Sequence, residues 1–115
     1  MAHERILQIN SYIKTEVSFL LESFVQDNKT GLLTVTRVDT APDMKASKVW
    51  VSVFEARMPS EVVLKKIVKK SHLIQSELWK KMAVRKVPRL QFKLDENPEY
   101  VERIDEILEE IKLNS

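Results

Sequence analysis

Two short runs of alternating side chains, separated by a turn, most constrain what this chain can fold into. The first run, LLTVTRVDT at 32–40, comes directly after the only glycine in the sequence, Gly31, and the second, KVWVSVF, occupies 48–54. Alternation with many β-branched residues is typical of strands that bury one face. Because the loop between the runs, APDMKAS at 41–47, is short, we expect the two strands to pair antiparallel.

Apolar residues at steps of three and four predict helices on both sides of these strands. The first helix precedes Gly31, and its apolar face is Ile6, Ile9, Ile13, Val17, Leu20 and Phe24. Two helical segments come after the second strand, MPSEVVLKKIVKK at 58–70 and LIQSELWKKM at 73–82. Ser60 is the expected N-cap of the earlier segment. The predicted buried residues are Val63, Leu64, Ile67 and Val68 in the earlier segment and Ile74, Leu78 and Met82 in the later one.

A third strand and a last helix complete the predicted order. VPRLQFKL at 87–94 alternates again, with Leu90 and Phe92 expected to point inward. Asn97 and Pro98 are a typical cap and first-turn pair, and the helix after them has the apolar face Val101, Ile104, Ile107, Leu108 and Ile111. The order α-β-β-α-α-β-α predicts an α+β fold, a three-stranded mixed sheet with helices on one face, in a single domain over residues 1–115.

Composition excludes several classes of function. The 115 residues are 43% hydrophobic, which is enough for one core, and they include no cysteine, so disulfides and thiolate chemistry are excluded. One glycine cannot build a phosphate-cradling or dinucleotide loop. The two histidines, His3 and His72, are too far apart in sequence to suggest a metal site. We therefore predict no catalytic residues, no metal and no cofactor, and hence no enzyme.

The sequence also gives no sign of a membrane protein. Its apolar runs fall short of the roughly 20 residues that a membrane helix needs, and the start MAHERILQIN lacks the features of a secretory signal. We expect a cytoplasmic protein, and we expect it to be a monomer.

The sequence allows a prediction for the environment of each of the two tryptophans. Trp50 shares a strand face with Phe54, and we expect this face to pack against a helix. Trp79 lies at the edge of the apolar arc of its helix, beside Lys80. It could cover the edge of the core or stack on an unpaired base, and we expect it to cover the core.

Positive charge is concentrated in the middle of the chain. Residues 57–93 carry eleven Lys and Arg against two Glu, whereas residues 94–115 carry eight acidic residues against two basic ones. Lysines on a helix exterior are often only a solvated face, but such faces usually mix charges of both signs. The continued excess of cations favours contact with phosphate. The candidate RNA-binding residues are Lys65, Lys66, Lys69, Lys70, Ser71, His72, Lys80, Lys81, Arg85, Lys86 and Arg89.

Two successive helices between the second and third strands resemble the helix–kink–helix unit of a type II KH domain, an RNA-binding fold. Across nearly the whole chain, the sequence also resembles the bacterial ribosome-binding factor A family. The segments that carry this resemblance are IKTEV, GLLTVTRVD, PDMKASKVWVSV, LIQSEL and VRKVPRLQFKLDENPEYVERIDEIL. Where the family has an Ala-x-Gly kink, this chain has Lys70, Ser71 and His72.

The resemblance implies a noncatalytic ribosome biogenesis factor. Such a factor would bind immature small ribosomal subunits and their rRNA and assist the late maturation of the subunit. The alternative is a protein-interaction module whose basic helices bind an acidic protein partner. Charge alone does not separate the two, because both kinds of partner attract lysine.

Overall fold

The computed structural model describes residues 2–82 and 87–96 of the chain. Along the sequence these residues form two helices and three strands. The bounds are α1 at Ala2–Phe24, β1 at Leu32–Thr40, β2 at Ala46–Phe54, α2 at Ser60–Lys81 and β3 at Arg89–Leu94. The helix predicted after Asn97 lies outside the described residues.

The strands form one mixed sheet in the order β1-β2-β3. As predicted, β1 pairs antiparallel with β2, whereas β3 runs parallel to β2. A bulge in β1 shifts the register between Val35 and Arg37. The inserted residue allows Val35 and Val38, three positions apart, to lie on the same buried face.

Both helices pack on one face of this sheet. The core contains Ile13, Val17 and Leu21 of α1 together with Val49 and Val51 of β2, and all five are fully buried. From α2 it contains Val63, Ile67, Ile74 and Leu78, and from β3 it contains Leu90. The predicted α+β class, with a three-stranded mixed sheet and helices on one face, is therefore confirmed.

The two helical segments predicted between β2 and β3 are both helical, but they run on as one helix, α2. Lys70, Ser71 and His72 lie inside it. None of the three is a glycine or a proline, so nothing in this stretch favours a break. Ser71 Oγ donates to the carbonyl oxygen of Val68 at 2.6 Å, a contact that a helix tolerates with at most a slight bend.

Three details of the helices differ from the sequence predictions. Ser60 does not cap α2, because the cap position is Pro59 and no side chain bonds to the helix start there. Val68 and Leu64 were predicted to be buried, but Val68 is 52% exposed and Leu64 is only half-buried, since both lie beyond the edge of the arc that meets the sheet. Phe24 is also exposed, and Leu21 and Val25 fill the core at that end of α1.

A buried polar cluster ties α1 to the sheet. Asn10 Oδ1 accepts hydrogen bonds from the Thr40 amide at 3.0 Å and from Thr40 Oγ1 at 2.6 Å. Thr40 Oγ1 lies 2.7 Å from Ser47 Oγ across the β1–β2 pair. Because buried polar groups are costly unless paired, this network fixes the position of α1 along the strands.

The turn before β1 depends on Asp27 and Gly31. The Asp27 carboxylate accepts the amides of Lys29 at 2.8 Å and of Thr30 at 2.9 Å, and it lies 3.7 Å from the Lys66 ammonium group of α2. Gly31 then has a φ of 72°, in the left-handed region. A Cβ at this position would collide with the backbone of Phe54 and Ala56.

We predict that Gly31→Ala destabilises the protein by more than about 1 kcal/mol, because it combines an unfavourable φ with a backbone collision. Chemical denaturation would measure the loss. A variant as stable as the parent chain would show that the turn can be rebuilt at no cost, which would contradict the tight approach of this turn to the end of β2.

The Asp27 turn also predicts a pH dependence. Amide hydrogen bonds from Thr30 and Lys29, with a smaller contribution from Lys66, lower the pKa of the Asp27 carboxyl below its ordinary value of 3.8. A lowered folded pKa contributes stability above the unfolded pKa, and that stability is lost as pH falls through the folded pKa. Asp27→Asn should therefore lower the melting temperature at neutral pH, with a gap from the parent that closes in acid. A gap that stays constant into strong acid would contradict this.

Candidate nucleic-acid interface

One side of α2 is left uncovered by the rest of the described chain. Four of its side chains, Val63, Ile67, Ile74 and Leu78, are fully buried against the sheet and α1. The opposite side therefore points away from the domain. We call it the outward face of α2, and it consists of the exposed residues Lys65, Lys69, His72, Ser76 and Trp79. These five recur at steps of three and four, so they form one stripe along the helix.

The structure separates the predicted lysines into two groups. Within residues 2–82 and 87–96, Lys65, Lys69 and Lys70 are exposed and form no ion pair. The other group is paired: Lys66 with Asp27 at 3.7 Å, Lys80 with Glu77 at 3.2 Å and Lys81 with Glu16 at 3.1 Å. Two of these three unpaired lysines, Lys65 and Lys69, belong to the outward face of α2, whereas Lys70 lies about 100° around the helix from Lys69.

The paired lysines help to hold the helices together. The carbonyl oxygen of Lys81 also accepts a hydrogen bond from Tyr12 Oη at 3.2 Å, so the end of α2 is joined twice to α1. These contacts are exposed, and surface ion pairs of this kind stabilise a fold by at most about 1 kcal/mol. An anion that approached Lys81 or Lys66 could take the place of the carboxylate.

Ser71 and His72 were predicted to contact RNA at a kink. In the continuous helix, Ser71 is half-buried and its hydroxyl is engaged with Val68, whereas His72 is exposed on the outward face. Inside an α-helix each backbone amide donates to the carbonyl oxygen four residues earlier. No backbone amide in this stretch is therefore free to bind a phosphate. Any contact at this point must therefore come from side chains.

The exposure of Trp79 differs from what the sequence predicted. The residue is 67% exposed, whereas we expected it to cover the edge of the core. Trp79 lies about 100° around the helix from the fully buried Leu78, so its indole points away from the sheet. A large apolar ring that remains in water beside cations is suited to stack on a base.

Gln75 sets the position of Arg89, the last of the predicted site residues. Its Nε2 donates to the carbonyl oxygen of Pro88 at 2.9 Å, and its Oε1 accepts the Leu90 amide at 2.9 Å. The side-chain amide of Gln75 thus serves as the hydrogen-bond partner of two backbone groups at the start of β3, the Pro88 carbonyl oxygen and the Leu90 amide. Arg89 precedes the buried Leu90 on β3, so its exposed side chain faces the side of the sheet away from α2. Arg85 and Lys86 lie outside the described residues.

Trp50 and Phe54 were expected to pack against a helix, but neither α1 nor α2 lies on their side of the sheet, because Val49 and Val51 make the face that meets these two helices. Trp50 is half-buried on the opposite face, where the Arg37 guanidinium lies 3.9 Å from the ring centroid. The signal that could have decided this is the unbroken valine alternation, since the all-aliphatic side of a strand is the better candidate for the core.

The described residues were also searched for a metal site and for a helix that could span a membrane. Between residues 2 and 82 and between 87 and 96, no three His, Cys, Asp or Glu side chains are grouped so that they could hold a metal ion. In the same part of the chain, no helix is both long enough and apolar enough to cross a membrane.

Comparison with known sequences gives one consistent result. Residues 5–108 match the family described as Ribosome-binding factor A. Ribosome-binding factor A of Brevibacillus brevis is 33% identical over 111 residues, covering 96% of this chain and 92% of the relative. The protein of the same name from Natranaerobius thermophilus is 32% identical over 113 residues, covering 98% and 86%.

Solved structures show the same fold. The crystal structure of ribosome-binding factor A from Thermus thermophilus gives a TM-score of 0.68 at 21% identity, covering 77% of this chain and 93% of that one. A homology model of the Thermus thermophilus factor, fitted into a cryo-EM map of a complex of that factor with the 30S subunit, gives 0.63 at 23% identity, covering 73% and 88%. A Thermotoga maritima protein, described as a putative ribosome binding factor A, gives 0.62 at 16%, covering 82% and 91%.

The contacts of Gln75 lead to a prediction for the variant Gln75→Ala. It leaves the Leu90 amide without its partner, so we expect a loss of about 1–3 kcal/mol in the free energy of unfolding. Ser76→Ala, one position along the same helix but exposed, is the control and should change stability by less than about 0.5 kcal/mol. Equal losses in the two variants would mean that the Gln75 bonds do not position β3.

Proposed function

Since the chain belongs to the ribosome-binding factor A family, we propose that it is a noncatalytic ribosome biogenesis factor that binds immature small ribosomal subunits. It assists their late maturation by contacting rRNA. The family match over residues 5–108 carries the proposal, and the homology model of a relative that was fitted into a map of a 30S complex supports it.

The outward face of α2 is the surface that suits rRNA. Lys65 and Lys69 lie one turn apart with their ammonium groups free of carboxylates in the described part of the chain. Binding a phosphate at each would release condensed counterions, which drives much of the affinity for nucleic acid. Trp79, farther along the same stripe, adds a ring that can stack on an unpaired base of any identity.

The remaining predicted residues lie around this surface and at the sheet edge. Lys70 and Lys80 lie to one side of the stripe, whereas Arg89, on the edge strand β3, faces away from α2 and is a separate contact in this proposal. Lys66 and Lys81 contribute less to binding in this proposal, because a phosphate must compete there with Asp27 and Glu16. Arg85 and Lys86 belong to the same basic segment of the sequence and complete the proposed RNA-binding set.

The proposal extends to the state and location of the protein. Residues 1–115 form a single KH-like RNA-binding domain that acts as a monomer in the cytoplasm. The partner is rRNA in the assembling subunit, and no cofactor takes part. An acidic protein partner is the competing hypothesis, because free lysines would also attract carboxylates.

We predict that the chain cosediments with small subunits, with a preference for immature ones, and not with large subunits. Sucrose-gradient fractions that contain each particle, incubated with the purified chain, would test this. Equal binding to both subunits would reduce the interaction to nonspecific charge attraction, and binding to neither would contradict the proposal.

A charge reversal tests which surface binds. Lys65→Glu together with Lys69→Glu should weaken binding to a small-subunit rRNA fragment. The plot of log affinity against log salt should become shallower by about 0.7 to 0.9 for each lost phosphate contact. Folding should barely change, since both side chains are exposed and form no ion pair in the described part of the chain.

The matched control is Lys14→Glu together with Lys29→Glu. It makes the same change in net charge at two exposed positions outside the basic segment. If the control lowers both affinity and slope as much as the test pair, only net charge matters, and the outward face of α2 is a solvated face and not a binding site.

A further inference from the structure

The sheet has a second surface, of which the proposed function uses only Arg89 at the edge. On the side away from α1 and α2, side chains of all three strands face outward. We call this the outer face of the sheet, and its residues include Leu32, Arg37, Lys48, Trp50, Phe54, Arg89 and Lys93, with Asp39 as the register partner of Lys48. Within the described residues, no helix covers this face, since α1 and α2 both lie on the other side of the sheet.

The outer face combines positive charge with apolar surface. Arg37 lies over the Trp50 ring, and Lys93 is the register partner of Trp50 on β3. Lys48 is exposed two residues before Trp50 on β2. Leu32 and Phe54 face each other directly across β1 and β2 and are 54% and 43% exposed. Such a face fits a partner that is apolar along one side and acidic beside it.

The chain leaves the sheet at the end where this apolar pair lies. Leu94 is aligned with Val51, and the Asp95 amide still donates to the carbonyl oxygen of Val51 at 2.9 Å. Because β3 is parallel to β2, the chain leaves β3 in the direction in which β2 runs on to Phe54. The segment after residue 96 therefore starts at the end of the sheet where Leu32 and Phe54 lie.

This segment, residues 97–115, matches the outer face in chemistry. It carries six acidic residues against two basic ones. Its apolar residues Val101, Ile104, Leu108 and Ile111 recur at helical spacing, with acidic residues between them. A helix of about 15 residues would be about 22 Å long, which exceeds the roughly 10 Å across three strands.

We propose that residues 97–115 dock on the outer face of the sheet, with their aliphatic residues on Leu32, Trp50 and Phe54 and their carboxylates near Arg37, Lys48 and Lys93. A nucleic acid on this face would account for the cations but not for the exposed Leu32–Phe54 pair. In the docked state, the outer face is neutralised and α2 is left as the basic surface of the domain. This docking does not depend on rRNA binding.

The test uses the chain of residues 1–115, which has no cysteine, so a single nitroxide label can be placed at will. Thr34→Cys places the label on the outer face and Ser76→Cys places it on the outward face of α2; both positions are exposed. We expect amide NMR signals of residues 97–115 to lose intensity with the label at position 34 and to keep it with the label at 76. Loss from neither label, or equal loss from both, would overturn the proposal.

A second set of variants tests the role of charge. Lys48→Glu with Lys93→Glu, made in the Thr34→Cys chain, should restore much of the lost intensity, whereas Lys14→Glu with Lys29→Glu should not. Restoration by both pairs or by neither would contradict charge-matched docking. The NMR spectrum of the strands reports in each case whether the variant is folded.

Trp50 distinguishes the two possible occupants of the face. Trp79→Phe leaves Trp50 as the single tryptophan. If residues 97–115 cover the face, acrylamide should quench Trp50 weakly in the free protein, and more strongly in the Lys48→Glu, Lys93→Glu variant. Strong quenching in the free protein that falls only when an rRNA fragment is added would assign the face to RNA and overturn the proposal.

Discussion

The packing of α2 against the sheet is the constraint on which the rest of the structure depends. Val63, Ile67, Ile74 and Leu78 are all fully buried. At about 100° per residue, these four positions fall within an arc of about 60°. They can meet one flat sheet together only if the helix continues without a break through Lys70, Ser71 and His72. The buried stripe therefore fixes both the continuity of α2 and its rotation about its own axis.

This rotation decides which cations are available to a partner. Lys65 and Lys69 lie almost opposite to the buried stripe, and His72 and Trp79 continue the same line. Lys66 is turned toward the end of α1, where Asp27 holds it. Helical phase therefore separates lysines that are adjacent in sequence into one that helps to fix the fold and one that is free to bind. A flexible kink would have allowed the two halves of α2 to rotate independently, so helical phase would no longer have decided which lysines are paired and which are free.

Much of the fold could be predicted because the alternating runs are unambiguous. The bounds of β1 match the predicted run, and the short loop after it was enough to predict the antiparallel pairing. The unbroken α2 could also have been found, because the spacing of Val63, Ile67, Ile74 and Leu78 keeps a single helical phase. Resemblance to a family that has a kink suggested a break that the local residues do not require.

The candidate site was less predictable, because it depends on contacts between segments far apart in sequence. The pairs Lys66–Asp27 and Lys81–Glu16 join residues 39 and 65 positions apart. No local pattern shows that these lysines are partly neutralised. Trp79 was assigned to the edge of the core, although it lies about 100° around α2 from the buried Leu78, so its helical phase alone points it away from the sheet.

A cryo-EM map of the chain bound to immature small subunits would test most directly whether α2 carries the rRNA-binding surface. We expect the outward face of α2 to lie against rRNA, with Lys65 and Lys69 near phosphates and Trp79 against a base. We expect the outer face of the sheet, apart from Arg89 at its edge, to point away from the rRNA. A map in which α1 or the outer face of the sheet contacts the rRNA, with the outward face of α2 in solvent, would contradict this assignment.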